Sequence, residues 1–299
     1  MNAKMKSQAV LRVGLSGVFL AAAGIARGDE FLWAERAGDI TSDQGRGIAV
    51  DPGGNTLVTG VFTGKNASFG STLLTSSSLE DVFVAKHDSG GKVLWAKRAG
   101  GVGGDGGNGI AVDDEGNSYV TGFFSGTASF GSVVLTGSGG TDIFVAKYDA
   151  GGAVVWVQKA GGAASEQGRG IAVDHEGNCY VTGFFSGNCS FSGQELIGSG
   201  SAPEIFVAKY GPVGNLLWAR KAGGSAVDQG QAIAVDHAGG SYVTGFVQGA
   251  VTFGGIVLPG PIIGNDVFVA KYNSKGDGSG PKGRLAAAPT RASALRSSR

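Results

Sequence analysis

The sequence predicts an all-β fold built from four copies of one four-stranded unit, and three observations predict it. The four tryptophans, Trp33, Trp95, Trp156 and Trp218, stand 62, 61 and 62 residues apart. The aspartates that close each Ile-Ala-Val-Asp run, Asp51, Asp113, Asp174 and Asp236, repeat the same three spacings. Glycine supplies 57 of the 299 residues, far above the usual share of about 7%. Yet 42% of the residues are hydrophobic, enough for a packed core and too many for a disordered glycine-rich chain. A fixed period of this length marks an array in which each unit buries its faces against its neighbours.

Within a unit the strands can be taken in order. Strand a is Gly-Ile-Ala-Val-Asp, as at 109–113. Strand b is the aromatic and β-branched run Ser118–Phe124, which suits a pleated, half-buried surface. Strand c is Asp142–Tyr148 and carries the Phe-Val-Ala-Lys that begins at Phe83, Phe144, Phe206 and Phe268. Strand d is Ala153–Lys159 and carries the tryptophan. The connections at 113–117 and 149–152 hold the Asp, Asn and Gly that tight turns require. No stretch shows a sustained 3.6-residue apolar period. Four-stranded units repeated around an axis are the blades of a β-propeller.

The ends of the array predict a closed ring. The orphan strand Phe31–Gly38 looks like a strand d with no a, b or c before it. The last unit has a, b and c, but Gly276-Asp277-Gly278-Ser279-Gly280-Pro281 stands where its strand d belongs. Pairing the first segment into the last unit would leave no open edge there. The expected organisation is a signal peptide over 1–26, a propeller over 27–272 and a disordered basic tail over 273–299. Repeats begin near 29, 81, 142 and 204, with a partial one from 266. Lys4, Lys6 and Arg12 followed by the apolar run Val13–Ile25 have the form of a secretory leader.

Motifs such as Gly-Ile-Ala-Val-Asp-Asp-Glu-Gly-Asn-Ser-Tyr-Val-Thr-Gly at 109–122 resemble the SBBP-type β-propeller repeat of bacterial exported and cell-surface proteins. NHL-type blades are a more distant likeness. The resemblance covers 31–272 and implies a propeller, secretion or surface display, and no catalytic residues to carry over. That family is associated with seven blades, so an open arc of a larger propeller and two chains completing a larger ring stand beside the closed ring of four.

Leader and tail together hold nine of the 24 basic residues and one of the 24 acidic ones. The core is left with 15 basic against 23 acidic, near −8, which argues against nucleic acid as partner. The long b–c and d–a connections emerge on one face, the expected working surface. The b–c loops 64–79, 125–141, 186–202 and 248–265 would set specificity. That face carries Asp43, Asp105, Glu166 and Asp228, followed by Gln44, Gln167 and Gln229 in three units. As a ring they would suit a cation, with Ca2+ the natural choice, or a polyhydroxylated ligand. As a repeated feature they suit the capping of turn amides better. Asp51, Asp113, Asp174 and Asp236 read as turn aspartates, with Lys86, Lys147, Lys209 and Lys271 free to pair with them or rest on a tryptophan. The three histidines read as surface residues, and Cys179 and Cys189 as two buried thiols. The expected function is an exported, non-catalytic binding or scaffold module for a protein or glycan, with no membrane span after leader removal, acting as a monomer or a dimer completing a larger ring. The alternative is a propeller enzyme acting on a polysaccharide or lactone with a channel-bound cation.

Overall fold

A computed structural model describes residues 32–77, 79–259 and 264–278. The expected leader, Phe31 and the chain beyond Gly278 lie outside the described residues. Among the described residues there are 21 strands and no helix. Unit 1 comprises β1 (Gln44–Val50), β2 (Thr56–Phe62), the hairpin β3 (Ala67–Phe69) and β4 (Thr72–Leu74), β5 (Asp81–His87) and β6 (Val93–Gly101). Unit 2 comprises β7 (Gly106–Val112), β8 (Ser118–Phe130), β9 (Val133–Tyr148) and β10 (Val154–Gly162). Unit 3 comprises β11 (Gln167–Val173), β12 (Cys179–Phe185), the hairpin β13 (Asn188–Phe191) and β14 (Gln194–Ile197), β15 (Glu204–Tyr210) and β16 (Leu216–Gly223). Unit 4 comprises β17 (Gln229–Val235), β18 (Ser241–Val247), the hairpin β19 (Val251–Phe253) and β20 (Ile256–Leu258), and β21 (Asp266–Tyr272).

Strands a to d of units 1 to 3 pair antiparallel in chain order, as in β1-β2-β5-β6, and a to c of unit 4 do the same. The inner strands β1, β7, β11 and β17 lie side by side in sequence along the array. The b–c connections are not free loops. Each turns back as a hairpin that pairs with the end of the preceding unit's strand d: Ala99 opposite Phe130, Ala160 opposite Phe191, Ala222 opposite Phe253. The hairpin phenylalanine then packs on the phenylalanine of strand c at 4.8 to 5.1 Å between ring centres in the second and third units. Residues expected to set specificity therefore also stitch one unit to the next.

The tryptophans form the second stitch. Trp95, Trp156 and Trp218 donate Nε1–H to Ala150, Pro212 and Ser274 carbonyls in the next unit's c–d turn, at 3.1, 2.9 and 3.1 Å. Each ring covers a glycine of that turn. At Gly214, whose φ is +85°, a Cβ would stand 2.8 Å from Trp156, so both the backbone conformation and the space require glycine. The core is correspondingly between units: Tyr119, Ile143 and Val145 of unit 2 pack on Ile171, Val181 and Phe206 of unit 3.

The expected closure is not made. Residues 32–38 lie on unit 1, with Trp33 stacked on His87 at 6.3 Å and against Gly91, and Gly38 bridged to Ser68. Like the other strands d, the segment lays its tryptophan on a glycine of the following unit's c–d turn and pairs its end with that unit's hairpin, and it does not pair with β21 among the described residues. Unit 1's face toward a preceding unit and unit 4's face toward a following one are both open: Ile48 is 69% and Val267 82% exposed, whereas Ile110 is 8%. Residues 273–277, expected to open the tail, form unit 4's c–d turn, and Gly278 bridges back to Tyr272; the rest of the expected tail lies outside the described residues.

Candidate functional site

Each inner strand contains a β-bulge at the same place. The pairing of strands a and b shifts between Gly45 and Gly47, Gly107 and Gly109, Gly168 and Gly170, and Gly230 and Ala232. The extra residues are Arg46, Asn108, Arg169 and Gln231. A bulge re-aims one side chain out of the pleat, and the small residues on either side of it leave that side chain room. Because the inner strands lie side by side, the four bulges converge. With Gln44 and Gly45 they line one concavity of about 410 Å³ on the inner edge of the array.

The chemistry there is cationic and donor-rich. Arg46 Nε donates to Gln44 Oε1 at 3.1 Å, and its Nη1 donates to Asn108 Oδ1 at 3.2 Å. Asn108 Nδ2 donates to the Gly168 carbonyl at 2.8 Å, tying three units together. Arg169 lies over the Phe184 ring at 5.4 Å, and its Nε is buried with no hydrogen-bond partner. Burial, and then the neighbouring Arg46 charge, pull its pKa below the ordinary guanidinium value. Two cations that destabilise each other, one with an orphan donor, form a preorganised place for an anion.

The acids expected at this mouth are brought together differently. Asp105, Glu166 and Asp228 are wholly buried. Asp105 accepts from the Gly101 and Ser125 amides at 2.7 and 3.0 Å, Asp228 from the Gly224 and Gln248 amides at 2.8 and 2.9 Å, and Glu166 from Gly162 at 2.9 Å. Asp43 accepts from Asp39 and Thr63. They brace the end of one unit's strand d to the b–c connection of the next. Burial raises Asp105 to about 6 and Glu166 to about 7, helped by the facing carboxylates Asp81 and Asp142. Of the three glutamines, Gln44 reaches the concavity and Gln229 touches it through Gln231 at 3.2 Å, while Gln167 stays in its strand pair. Among the described residues no group of three His, Cys, Asp or Glu side chains is placed to hold a metal, and two guanidinium groups repel a cation at the concavity.

The turn aspartates hold their own turns: Asp174 Oδ1 accepts from the Asn178 amide at 2.9 Å. Lys86 and Lys271 pair with Asp51 and Asp236 at 2.8 and 3.1 Å. Where a lysine meets a ring it is the strand-b tyrosine and not the expected tryptophan, as with Lys209 over Tyr180 at 4.8 Å. His175 and His237 are exposed, but His87 is buried under Trp33. It takes the place of a buried tyrosine, so the contact that covers strand c in every unit covers it too. Cys179 and Cys189 are free and fully buried.

The bulge residues were legible only as a pattern: one large polar residue between small ones, Gly-Arg-Gly, Gly-Asn-Gly, Gly-Arg-Gly and Gly-Gln-Ala. A varying residue inside a fixed frame marks an exposed position of a repeat, and that signal lay beside the fixed acids.

A family model for the SBBP β-propeller repeat matches residues 94–122, which run from strand d of unit 1 through the inner strand of unit 2 into its strand b. The chain is also similar to an uncharacterized WD repeat-containing protein of Acanthamoeba polyphaga mimivirus, at 25% identity over 236 residues. That match takes in 67% of this chain and 17% of the viral protein. The chain thus spans about a sixth of that relative's length. Together with the antiparallel four-stranded units, these matches support a β-propeller repeat protein.

Proposed function

We propose that this chain is a non-catalytic binding or scaffold module, exported by its N-terminal leader, that takes an anionic group of its partner between Arg46 and Arg169. The carrying observation is the convergence of four bulge residues, two of them arginines and one with an unpartnered buried Nε. The bulges sit near the start of strand a, so the site opens toward the b–c and d–a connections that vary most between units. A phosphate, sulfate or carboxylate on a protein or glycan would satisfy Arg169 Nε and offset the Arg46–Arg169 repulsion. Charge-assisted hydrogen bonds contribute about 1.5–3 kcal/mol each, so losing one arginine should weaken binding at least about tenfold.

Isothermal titration calorimetry with inorganic phosphate at low ionic strength tests this. Saturable binding by the wild type, weakened in Arg169→Ala and lost in the Arg46→Ala/Arg169→Ala double variant, supports the reading. No binding, or equal binding by the double variant, overturns it. His237→Ala, on the opposite turn face, should bind like the wild type.

A further inference from the structure

We infer that the two open ends of the array are the halves of one interface and that this chain associates head to tail with a second copy of itself. The chain already makes such a joint three times within itself. At each internal joint one unit presents a residue from strand b and two from strand c. These are Leu57, Val82 and Val84 toward unit 2, Tyr119, Ile143 and Val145 toward unit 3, and Tyr180, Ile205 and Val207 toward unit 4. The following unit receives them with an apolar set from strands a, b and c and the hairpin, for example Ile110, Val120, Phe130 and Phe144.

Unit 4 presents the fourth knob set, Tyr242, Val267 and Val269, and among the described residues it stays uncovered: they are 38%, 82% and 72% exposed. Unit 1 presents the fourth receiving set, Ile48, Val58, Phe69 and Phe83. These line a cleft of about 290 Å³ together with Trp33 and His87. Exposed β-branched residues on a flat sheet face carry a burial free energy that association releases. Both faces are open in the same chain, so the three internal steps do not bring β17 round to β1 and the cleft is left to another copy.

The backbone is complementary as well. At the internal joints strand d pairs with its own strand c in a fixed register, Ala85 opposite Ala96 and Ala208 opposite Ala219. Among the described residues no strand pairs with the outer edge of β21, while residues 32–38 of the other end form a strand d already seated on unit 1. The repeat register places Ala34 of a second copy opposite Ala270, and Arg36 opposite Phe268 and beside Asp266. This repeats the Arg98–Asp81 pair at 2.7 Å and the Lys221–Glu204 pair at 3.2 Å. Tyr242 would donate to the Gly54 carbonyl of that copy, as Tyr119 and Tyr180 donate to Gly177 and Gly239 at 3.2 Å. One position departs from the pattern. A Cβ at Gly109 or Gly170 would stand 2.8 or 2.9 Å from the next inner strand, but unit 4 has Ala232, whose methyl sets this joint wider at its inner edge. Such a head-to-tail interface closes into a ring of copies or runs on as a filament, according to its rotation.

The test joins light scattering to cross-linking on the full chain. A mass of two or more copies at micromolar concentration, reduced to one copy by Val267→Asp/Val269→Asp with an unchanged melting temperature of the single chain, supports the interface. These two valines are exposed in the single chain, so the variant should fold. An Ala34→Cys/Ala270→Cys variant should oxidise to species spanning two or more chains, the native thiols being buried. A one-copy mass for the wild type, a cross-link within one chain, or no cross-link overturns the inference.

Discussion

Replacing Glu166 by glutamine should make the protein more stable at pH 8 and leave it nearly unchanged at pH 4. Glu166 is wholly buried between two units, its Oε2 accepts from the Gly162 amide at 2.9 Å, and its Oε1 has no partner. Burial first, and then the facing Asp142, raise its pKa from 4.5 to about 7. The folded state therefore keeps a proton that the unfolded chain releases from pH 4.5 upward. Stability is complete below pH 4.5 and is lost as pH rises toward 7. At 1.36 kcal/mol per unit, the loss is about 3 kcal/mol by pH 8. Glutamine keeps an acceptor for Gly162, removes the charge and offers a donor beside Asp142, whose Oδ1 also lacks a partner. Urea unfolding at pH 4 and pH 8 should show a gain of about 2–3 kcal/mol at the higher pH only. A Glu166→Gln variant destabilised at pH 8 would refute the reasoning, because it would mean that the ionised carboxylate is the form the amides need.

Shifts of both signs set the pH profile of the whole chain. Asp105 is raised to about 6 like Glu166, whereas Asp51, although buried, is held down to about 2 by Lys86 and Asn55. The melting temperature should therefore peak near pH 4 to 5 and fall on both sides. A flat profile from pH 5 to 8 would contradict the raised pair. Ser192 has φ +48° at the hairpin turn where Gly70, Gly131 and Gly254 stand in the other units. Ser192→Gly should stabilise by about 0.5–1 kcal/mol, read from the urea midpoint. Trp156→Ala removes a buried ring together with its hydrogen bond to Pro212 and should cost about 3–5 kcal/mol, again by urea unfolding. Cys179 and Cys189 are buried and their thiols titrate well above the usual range. They should react with a thiol reagent only as fast as the chain unfolds.

The units and their strands were legible because each local signal agreed with its copies: turn glycines, alternating runs and a tryptophan recurring at one period. The fates of the two ends were not. Whether Trp33 pairs into the last unit or rests on the first depends on where three successive joints carry the chain, and no residue near Trp33 encodes that. The b–c loops misled for a related reason. Their Phe130, Phe191 and Phe253 look like ordinary strand residues, and only the pairing with Ala99, Ala160 and Ala222 shows them to be stitches. The acids were conspicuous because they recur, yet recurrence here marks the frame. Arg46 and Arg169 share their positions with asparagine and glutamine, and a bulge that turns a side chain inward is a property of strand pairing, not of spacing along the chain.

For an anion seated at Arg169, the Arg169 Nε–H is the most direct reporter. In a 15N correlation spectrum of the wild type, assigned with Arg169→Lys, titration with inorganic phosphate at constant ionic strength should shift that one resonance along a saturating curve. The Arg46→Ala variant should need at least about tenfold more phosphate for the same shift. A resonance that stays in place, or drifts without saturating, while phosphate reaches millimolar concentrations would contradict an anion site between the two arginines.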